Sequence, residues 1–249
     1  VQEIIRTSYP WLFDLSLLIA VPLAFLLTGL VGIVIERSVI RFLYGRPLET
    51  LLATWGISLM LIQTVRVIFG AQNVTVANPS WLSGGYDLLP GVVLPYNRIA
   101  TVVFVTFVVL FVNWLLKRTP IGLQVRAITQ NRAMAACMGI PTARVDMLTF
   151  GLGSGIAGLG GVALSQLGNV GPELGQLYIV DSFLVVVVGG VGKIAGSVVA
   201  ALGLGTINKL LEPFAGAVLG KIFLLVFVVL FIQRRPQGLF ALKGRSAES

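Results

Sequence analysis

The sequence feature that most constrains the fold is an apolar run near the start of the chain, residues 15–35, which contains no Asp, Glu, Lys or Arg. At a rise of ~1.5 Å per residue it would form a helix of about 31 Å, the thickness of the hydrocarbon core of a bilayer. Pro22, Gly29 and Gly32 would weaken such a helix in water, whereas neighbouring helices in a membrane can satisfy the backbone groups that they free. The run therefore predicts a transmembrane helix.

Further apolar runs recur along the chain, and the overall composition agrees with them. The chain is 56% hydrophobic and 11% charged, whereas a soluble protein carries about 25% charged residues. We therefore predict an all-α fold: a polytopic transmembrane helical bundle, with a broken or re-entrant helix in its C-terminal third, forming one domain over residues 1–249. The further predicted spans are 51–69, 99–116, 147–167, 194–211 and 223–232.

Basic residues are concentrated in three segments outside the predicted spans. Because segments rich in Lys and Arg stay in the cytoplasm, these segments and the C-terminus are predicted to be cytoplasmic in a multi-pass protein of the bacterial inner membrane. Residues 71–97 contain no Lys or Arg and are predicted to form an ordered periplasmic loop. The net charge of +8 then reflects topology rather than binding to nucleic acid. The basic residues of the three segments are Arg37, Arg41 and Arg46; Lys117, Arg118, Arg126, Arg132 and Arg144 of residues 117–146; and Arg234, Arg235, Lys243 and Arg245 of the tail.

This orientation requires an additional reversal in the last third of the chain. Because Gly168 is predicted outside and the tail inside, residues 178–211 must enter the membrane and return outward. The first leg, 178–190, is only about 20 Å long as a helix, so it is either buried under its neighbours or a re-entrant half-helix. The glycines of the break that follows are assigned helix-packing or hinge roles: Gly189, Gly190, Gly192 and Gly196.

Two glycine-rich strings resemble nucleotide-binding motifs and are rejected. GSGIAG at 153–158 fits the dinucleotide fingerprint, but it lies within an apolar span rather than after a strand, which favours helix packing. GGVGKIAGS lacks the first glycine and the Ser or Thr of a phosphate loop, so any ATP hydrolysis requires a separate chain. With no histidine and the single cysteine Cys137, we assign no catalytic residue, metal site or cofactor, and we expect no enzyme.

The cytoplasmic segment 117–146 carries the signals of a helix. Thr119 can cap it, Pro120 suits its first position, and Gly139 followed by Pro141 ends it. Polar and apolar residues alternate within it, which is compatible with a helix on the lipid surface or with a docking surface for another protein.

Polar side chains in or beside the spans form a candidate substrate pathway. Asp181 lies at the start of the short leg and is either a functional intramembrane acid or the N-cap of that helix. Glu49 in a first helical turn, and Arg66 and Lys209 near span ends, are interpreted structurally. The candidate pathway residues are Gln63, Ser165, Gln166, Asn169, Asp181 and Ser182.

Five strings together resemble the permease subunits of branched-chain amino acid and urea ABC importers: IERSVIRFLYGRP, LLATWGISL, VRAITQNRAMAACMGIP, GGVGKIAG and RRPQGLF. The resemblance covers essentially the whole chain, and GNVGPELGQLYIVDSFLVVVVGGVG is more similar to the urea branch. It implies a second homologous permease subunit, two cytoplasmic ATP-binding subunits, a periplasmic substrate-binding protein and the lipid bilayer as partners. Members of this family usually begin with two further membrane helices and an amphipathic segment, so we expect an N-terminal truncation.

The resemblance also implies a function for the cytoplasmic segment and a class of substrate. It favours docking to the ATPase through Arg126, Gln130, Asn131, Arg132, Ala135, Gly139 and Ile140. We expect import of urea or a related small amide, because neutral Ser, Asn and Gln groups suit such a solute. The alternative is import of branched-chain amino acids, for which Asp181 would bind the ammonium group. A passive channel or a membrane enzyme acting on lipids are alternatives of other classes.

Overall fold

The structure, a computed structural model, describes residues 16–76, 84–89, 92–190, 192, 194–235 and 238–239. The chain divides into two units, Val1–Pro172 and Glu173–Ser249. Several predicted features lie outside the described residues, among them Leu15 of the first span, Lys193 of the glycine-rich break, and Lys243 and Arg245 of the tail.

The first unit is built mainly from long apolar helices. Four of them are long and apolar enough to cross a membrane. They are α1 (Ser16–Ser38), α2 (Pro47–Phe69), α3 (Tyr96–Arg118) and α6 (Thr142–Ser165). A single 3₁₀ turn, Ile40–Phe42, joins α1 to α2, and Glu49 lies in the first turn of α2 as expected.

Helices α1 and α6 form the most extensive contact in this unit, and glycines allow it. A Cβ atom added to Gly151 would lie 2.6 Å from Cγ1 of Ile33, and one added to Gly155 would lie 2.7 Å from the ring of Phe25. Because small residues let membrane helices approach closely, these positions set the spacing of the pair. The glycines of 153–158 thus lie inside a helix, as the packing interpretation predicted.

Residues 117–146, the segment predicted to be cytoplasmic, contain two short helices, α4 (Pro120–Gln130) and α5 (Arg132–Cys137), where the sequence predicted one. Thr119 caps α4 by accepting a hydrogen bond from the Gly122 backbone N–H, as predicted. The division occurs at Asn131, whose backbone is extended (φ −156°, ψ 103°) and whose side chain accepts from the Met134 N–H at 3.0 Å. This cap starts a new helix instead of continuing the old one. Gly139 then turns the chain at φ 82°.

At the opposite end of the unit, the predicted periplasmic loop contains structure that the sequence analysis missed. Strands β1 (Gly85–Leu89) and β2 (Val92–Pro95) pair antiparallel, with an irregularity between Asp87 and Leu89. Val74 forms a separate two-residue bridge with Val170. The loop is therefore tied to the end of α6.

The second unit consists of α7 (Leu174–Gly189) and α8 (Ile194–Arg234). Helix α8 has 41 residues, about 61 Å, which is twice the thickness of a hydrocarbon core. Gly216, at φ 77° and ψ 163° just after Pro213, interrupts it, so α8 is two legs. Both legs pack with α7 around one apolar core: Leu184, Val188, Ala200, Leu204, Leu224 and Val228.

These elements confirm an α-helical, polytopic membrane fold with a broken helix in its C-terminal third. Among the residues that the structure describes, five helices meet the length and hydropathy of a membrane span, the fifth counted over Ile194–Phe214. Helix α7 is the short apolar leg expected from the sequence, although it begins at Leu174 rather than at residue 178.

Candidate functional site

A cluster of polar side chains joins the cytoplasmic segment to the membrane helices of the first unit. Arg132, the first residue of α5, forms an ion pair with Asp146 of α6 at 2.6 Å (Nη2 to Oδ2). The Arg132 guanidinium also lies over the ring of Tyr44, 4.6 Å from its centroid. The Tyr44 hydroxyl donates a long hydrogen bond of 3.5 Å to Glu36 of α1, whose side chain is buried. We call these four residues the Arg132 cluster.

The surroundings of Tyr44 keep its hydroxyl protonated. Burial raises the pKa of Tyr44 to about 12, and the carboxylates of Asp146 and Glu36 act in the same direction against the opposing charge of Arg132. Removing a proton here would add a third negative charge beside two carboxylates. The hydroxyl therefore remains a hydrogen-bond donor at neutral pH.

Beside this cluster, a cleft of about 510 Å³ lies along α6. Its polar end is formed by Tyr44 and Asp146. Its lining is completed by Thr149, Phe150, Gly153, Ser154 and Ala157, which lie on one side of α6 because they are three or four residues apart.

The residues predicted to couple to the ATPase have structural contacts within the chain. Arg126 donates from Nη1 to the Leu116 carbonyl at 2.7 Å, at the end of α3. Ala135 is buried, and its carbonyl accepts from the N–H of Ile140 at 3.1 Å. With Asn131 capping α5 and Gly139 at positive φ, these residues shape the segment, while Gln130 is exposed.

The exposed apolar side chains of the segment were not among the predicted site residues. Leu123 of α4 is 63% exposed, Met134 of α5 61%, and Met138 just after α5 77%. Exposed apolar groups on this segment, which is predicted to be cytoplasmic, are compatible with a docking surface for a protein or with contact to the lipid surface. The signal was in the sequence, since these apolar residues interrupt the polar positions of the segment, but the predicted set contained other residues of it.

At the other end of the first unit, two of the predicted pathway residues lie together. Ser165 ends α6, and its hydroxyl accepts a hydrogen bond of 3.2 Å from Nε2 of Gln166. Asn97, in the first turn of α3, donates from Nδ2 to the Gln166 carbonyl at 3.2 Å. Gln63 and Asn169 are exposed, and no hydrogen bond among the described residues joins either to this group. Asn97 was missed because nothing in its local sequence distinguishes it.

In the second unit, Asp181 and Ser182 do not occupy the position that the sequence predicted. They lie in the middle of α7, because this helix begins at Leu174 and its N-cap position is Glu173. Asp181 is therefore not the N-cap. Its Oδ2 accepts a hydrogen bond of 3.2 Å from Nζ of Lys221, in the second leg of α8. Ser182 is exposed.

The glycines of the break allow a close approach of α7 and α8. A Cβ atom added to Gly189 would lie 2.6 Å from the carbonyl carbon of Gly196. Gly190 and Gly192 both have φ of 93°, a conformation that favours glycine. The backbone N–H of Leu239 donates to the Val188 carbonyl at 2.8 Å, so the chain after α8 returns to the end of α7.

Within the residues that the structure describes, no group of three or more His, Cys, Asp or Glu side chains could hold a metal ion. The polar groups of the described residues are few, and they lie along or at the ends of long apolar helices. Such an arrangement is typical of an integral membrane protein.

Comparison with known proteins identifies the family. A model described as the branched-chain amino acid transport system / permease component matches residues 4–232, and the chain belongs to this family. The high-affinity branched-chain amino acid transport system permease protein BraD of Pseudomonas aeruginosa is 30% identical over 239 residues, covering 90% of this chain and 75% of the relative.

Two further relatives show the range of the similarity. The corresponding permease LivH of Escherichia coli is 26% identical over 222 residues, covering 87% of this chain and 71% of the relative. The ribose import permease RbsC of Bacillus subtilis is 33% identical over 117 residues, covering 44% and 36%. No solved structure matches the chain significantly.

These matches establish a multi-pass inner-membrane permease of the ABC transporter type, which is not an enzyme. They do not support the urea branch that the resemblance favoured. They favour the alternative, a permease for branched-chain amino acids.

Proposed function

We propose that this chain is the membrane subunit through which an ABC importer moves branched-chain amino acids into the cell. The observation that carries this proposal is the similarity to two branched-chain amino acid permeases over 87–90% of the chain. A zwitterionic substrate needs partners for an ammonium and a carboxylate. In the first unit, the polar ends of α3 and α6 offer hydrogen-bonding groups. In the second unit, Asp181 is a separate candidate for the ammonium.

The cytoplasmic segment is the proposed docking surface for the ATPase. A motor on another chain has to contact the permease on its cytoplasmic face, and α4 and α5 expose Leu123, Met134 and Met138 there. Burying a side chain of this size against a partner contributes roughly 1.5–3 kcal/mol. These three side chains together can anchor a partner. Docking then does not require direct contacts from the residues that hold the segment in its shape.

The Arg132 cluster provides the link from that surface to the membrane helices. Arg132 begins α5, Asp146 lies in the first turns of α6, and Glu36 lies in the last turns of α1. A displacement of α5 by a docked ATPase therefore acts directly on α1 and α6, which pack closely through their glycines. The proposed partners are two ATP-binding subunits, a second permease subunit and a periplasmic binding protein, with the C-terminus of this chain in the cytoplasm.

Uptake measurements test the substrate and the energy source. Deleting the gene for this chain from its own cells should lower energy-dependent uptake of radiolabelled L-leucine, L-isoleucine and L-valine, while uptake of radiolabelled urea stays unchanged. Loss of urea uptake alone would overturn the amino acid assignment. Uptake that continues after ATP depletion would instead indicate a passive channel.

Variants of the exposed residues test the docking surface. Met134→Ser combined with Met138→Ser should abolish leucine uptake and reduce co-purification of the ATPase with the membrane subunit. Met60→Ser is the matched control, because Met60 is 72% exposed but lies within the span of α2. Wild-type uptake by the double variant would show that the ATPase docks elsewhere.

A further inference from the structure

The meeting point of α3 and α6 contains two buried oxygen atoms that accept no hydrogen bond within the described part of the chain. They are Oδ1 of Asn97 and Oε1 of Gln166. The side chain of Gln166 belongs to a residue that is only 8% exposed. Leaving such an acceptor without a donor costs about 1–3 kcal/mol, so this pair of oxygens requires an explanation.

The hydrogen bonds of the two amides fix which atom of each is the oxygen. Nδ2 of Asn97 faces the Gln166 carbonyl at 3.2 Å, and a carbonyl can only accept, so the nitrogen belongs there. The Ser165 hydroxyl already donates to the Val162 carbonyl at 2.7 Å. The Ser165 oxygen can therefore only accept a hydrogen bond from Gln166. The Gln166 atom that lies 3.2 Å from it must be the donor, Nε2. Flipping either amide would break an existing hydrogen bond.

The two residues that bear these oxygens are held in place by hydrogen bonds. The Asn97 amide contacts the Gln166 backbone directly. Four residues beyond Gln166, Val170 is bridged to Val74 through hydrogen bonds of 2.9 Å in both directions. Pre-arranged acceptors of this kind bind a donor without the cost of ordering their own side chains.

We propose that Asn97 and Gln166 form a binding site for the N–H groups of a small solute, either an ammonium or a carboxamide. The C-terminal end of α6 favours a cation, whereas the N-terminal end of α3 and the neighbouring Arg98 disfavour one. The helix ends and Arg98 therefore act in opposite directions on an ammonium, and a neutral carboxamide is affected by neither. That this site lies on an import route rests on the proposed function. That it binds a small solute does not.

Ligand binding to the purified full-length chain in lipid nanodiscs tests this proposal. L-leucine is the ammonium probe and acetamide the neutral amide probe, and each is titrated while the melting temperature is recorded. At least one of them should raise the melting temperature of the wild-type chain in a saturable manner. Gln166→Met, which removes the acceptor at similar length, should weaken that ligand about tenfold, as expected for one lost hydrogen bond in a desolvated site.

Two further variants separate the possible outcomes. Gln72→Met makes the same change at an exposed residue of the same end of the unit and should bind as the wild type does. Gln166→Glu should tighten L-leucine and weaken acetamide, because a carboxylate attracts an ammonium and gains nothing from a neutral amide. This variant decides the matter if Gln166→Met does not fold.

The proposal is overturned if neither probe shifts the wild-type melting temperature, which would mean that the two oxygens hold structural water only. It is also overturned if the Gln166 variants bind both probes as tightly as the wild type. Failure of the proposed function would look different: the chain would bind L-leucine in nanodiscs, yet deletion of its gene would leave leucine uptake intact.

Discussion

Arg132 connects α5 to α6 through Asp146 and to the segment between α1 and α2 through Tyr44. It is 46% exposed while its partner Asp146 is only 12% exposed, so the two residues contribute differently. Losing the guanidinium would leave a mostly buried carboxylate without its cation. An exposed ion pair elsewhere on the chain, such as Arg46 with Glu49 at 69% and 58% exposure, carries no such penalty.

We therefore expect Arg132→Ala to destabilise the first unit by about 1–3 kcal/mol, measured from the thermal melting of the purified chain. Asp146→Asn combined with Arg132→Ala should be less damaging than the sum of the two single changes. Arg46→Ala is the matched control and should cost less than about 1 kcal/mol. Equal effects of Arg132→Ala and Arg46→Ala would contradict the role of the Arg132 cluster.

The raised pKa of Tyr44 predicts a specific loss of stability in alkali. Its folded value of about 12 lies above the unfolded value of 10.0, so the contribution is complete below pH 10 and lost as the pH rises towards 12. Tyr44→Phe should remove this part of the decline in melting temperature between pH 10 and 12. Tyr178→Phe, in the second unit and as exposed as Tyr44 (43% each), is the matched control and should leave the decline as it is in the wild type.

The sequence predicts the role of a single residue well only where that role depends on neighbouring residues in the chain. Thr119 and Pro120 act within one helical turn, so the start of α4 was predictable from neighbouring residues alone. Asn97 and Gln166 are 69 positions apart, and their contact depends on how α3 and α6 meet. Asp181 was misplaced because an apolar helix can extend a turn beyond the residues that signal it.

Among the elements, α6 shows how one helix can present two glycine surfaces with different roles. Gly151 and Gly155 press against α1, whereas Gly153 has no atom within 4 Å of the place where a Cβ would be. Hydropathy alone treats these glycines identically. The distinction arises because their side-chain directions differ by the helical rotation between neighbouring positions.

This difference gives a prediction for two positions of the same helix. Gly155→Ala should lower the stability of the α1–α6 pair by about 1–3 kcal/mol, because the added methyl group meets the ring of Phe25. Gly153→Ala should be neutral or stabilising by up to about 1 kcal/mol, since alanine is the better helix former. Thermal melting of the two variants tests this difference. A lower melting temperature of Gly153→Ala than of the wild type would show that another part of the protein packs against this surface too.

The elements themselves were predictable to different degrees. Long spans such as α3 were found because hydropathy over a membrane thickness is a strong signal. The division at Asn131 and the β1–β2 hairpin were missed. Both depend on hydrogen bonds of individual backbone groups, which a hydropathy pattern does not contain.

For the whole molecule, contacts within the first unit group its connecting segments into two sets. Tyr44, between α1 and α2, meets Arg132 and Asp146, while Val74 and Asn97 meet residues 166–170. Four consecutive spans would alternate in direction, which places these two sets on opposite faces of the membrane. Eight of the ten described basic residues of the first unit lie with the first set, and Arg66 and Arg98 lie with the second. This excess agrees with the expected cytoplasmic face.

The single cysteine makes this orientation measurable without engineering. Cys137 is exposed in α5, so a membrane-impermeant maleimide should label it in inside-out vesicles and leave it unlabelled in intact spheroplasts. Adding the ATPase subunit to the vesicles should slow the labelling if α5 is its docking site. Labelling of intact spheroplasts would reverse the assigned topology, and Cys137→Ser is the control for non-specific reaction.

The pairing of Asp181 with Lys221 has a consequence for the biogenesis of the protein. The two residues are 40 positions apart. At a synthesis rate of roughly 5–20 residues per second, Lys221 is therefore synthesised about 2–8 s after Asp181. Until then α7 is a short helix with an uncompensated acid, which is a poor candidate for stable residence in lipid. We expect α7 to remain at the translocon and to be released into the bilayer together with the second leg of α8.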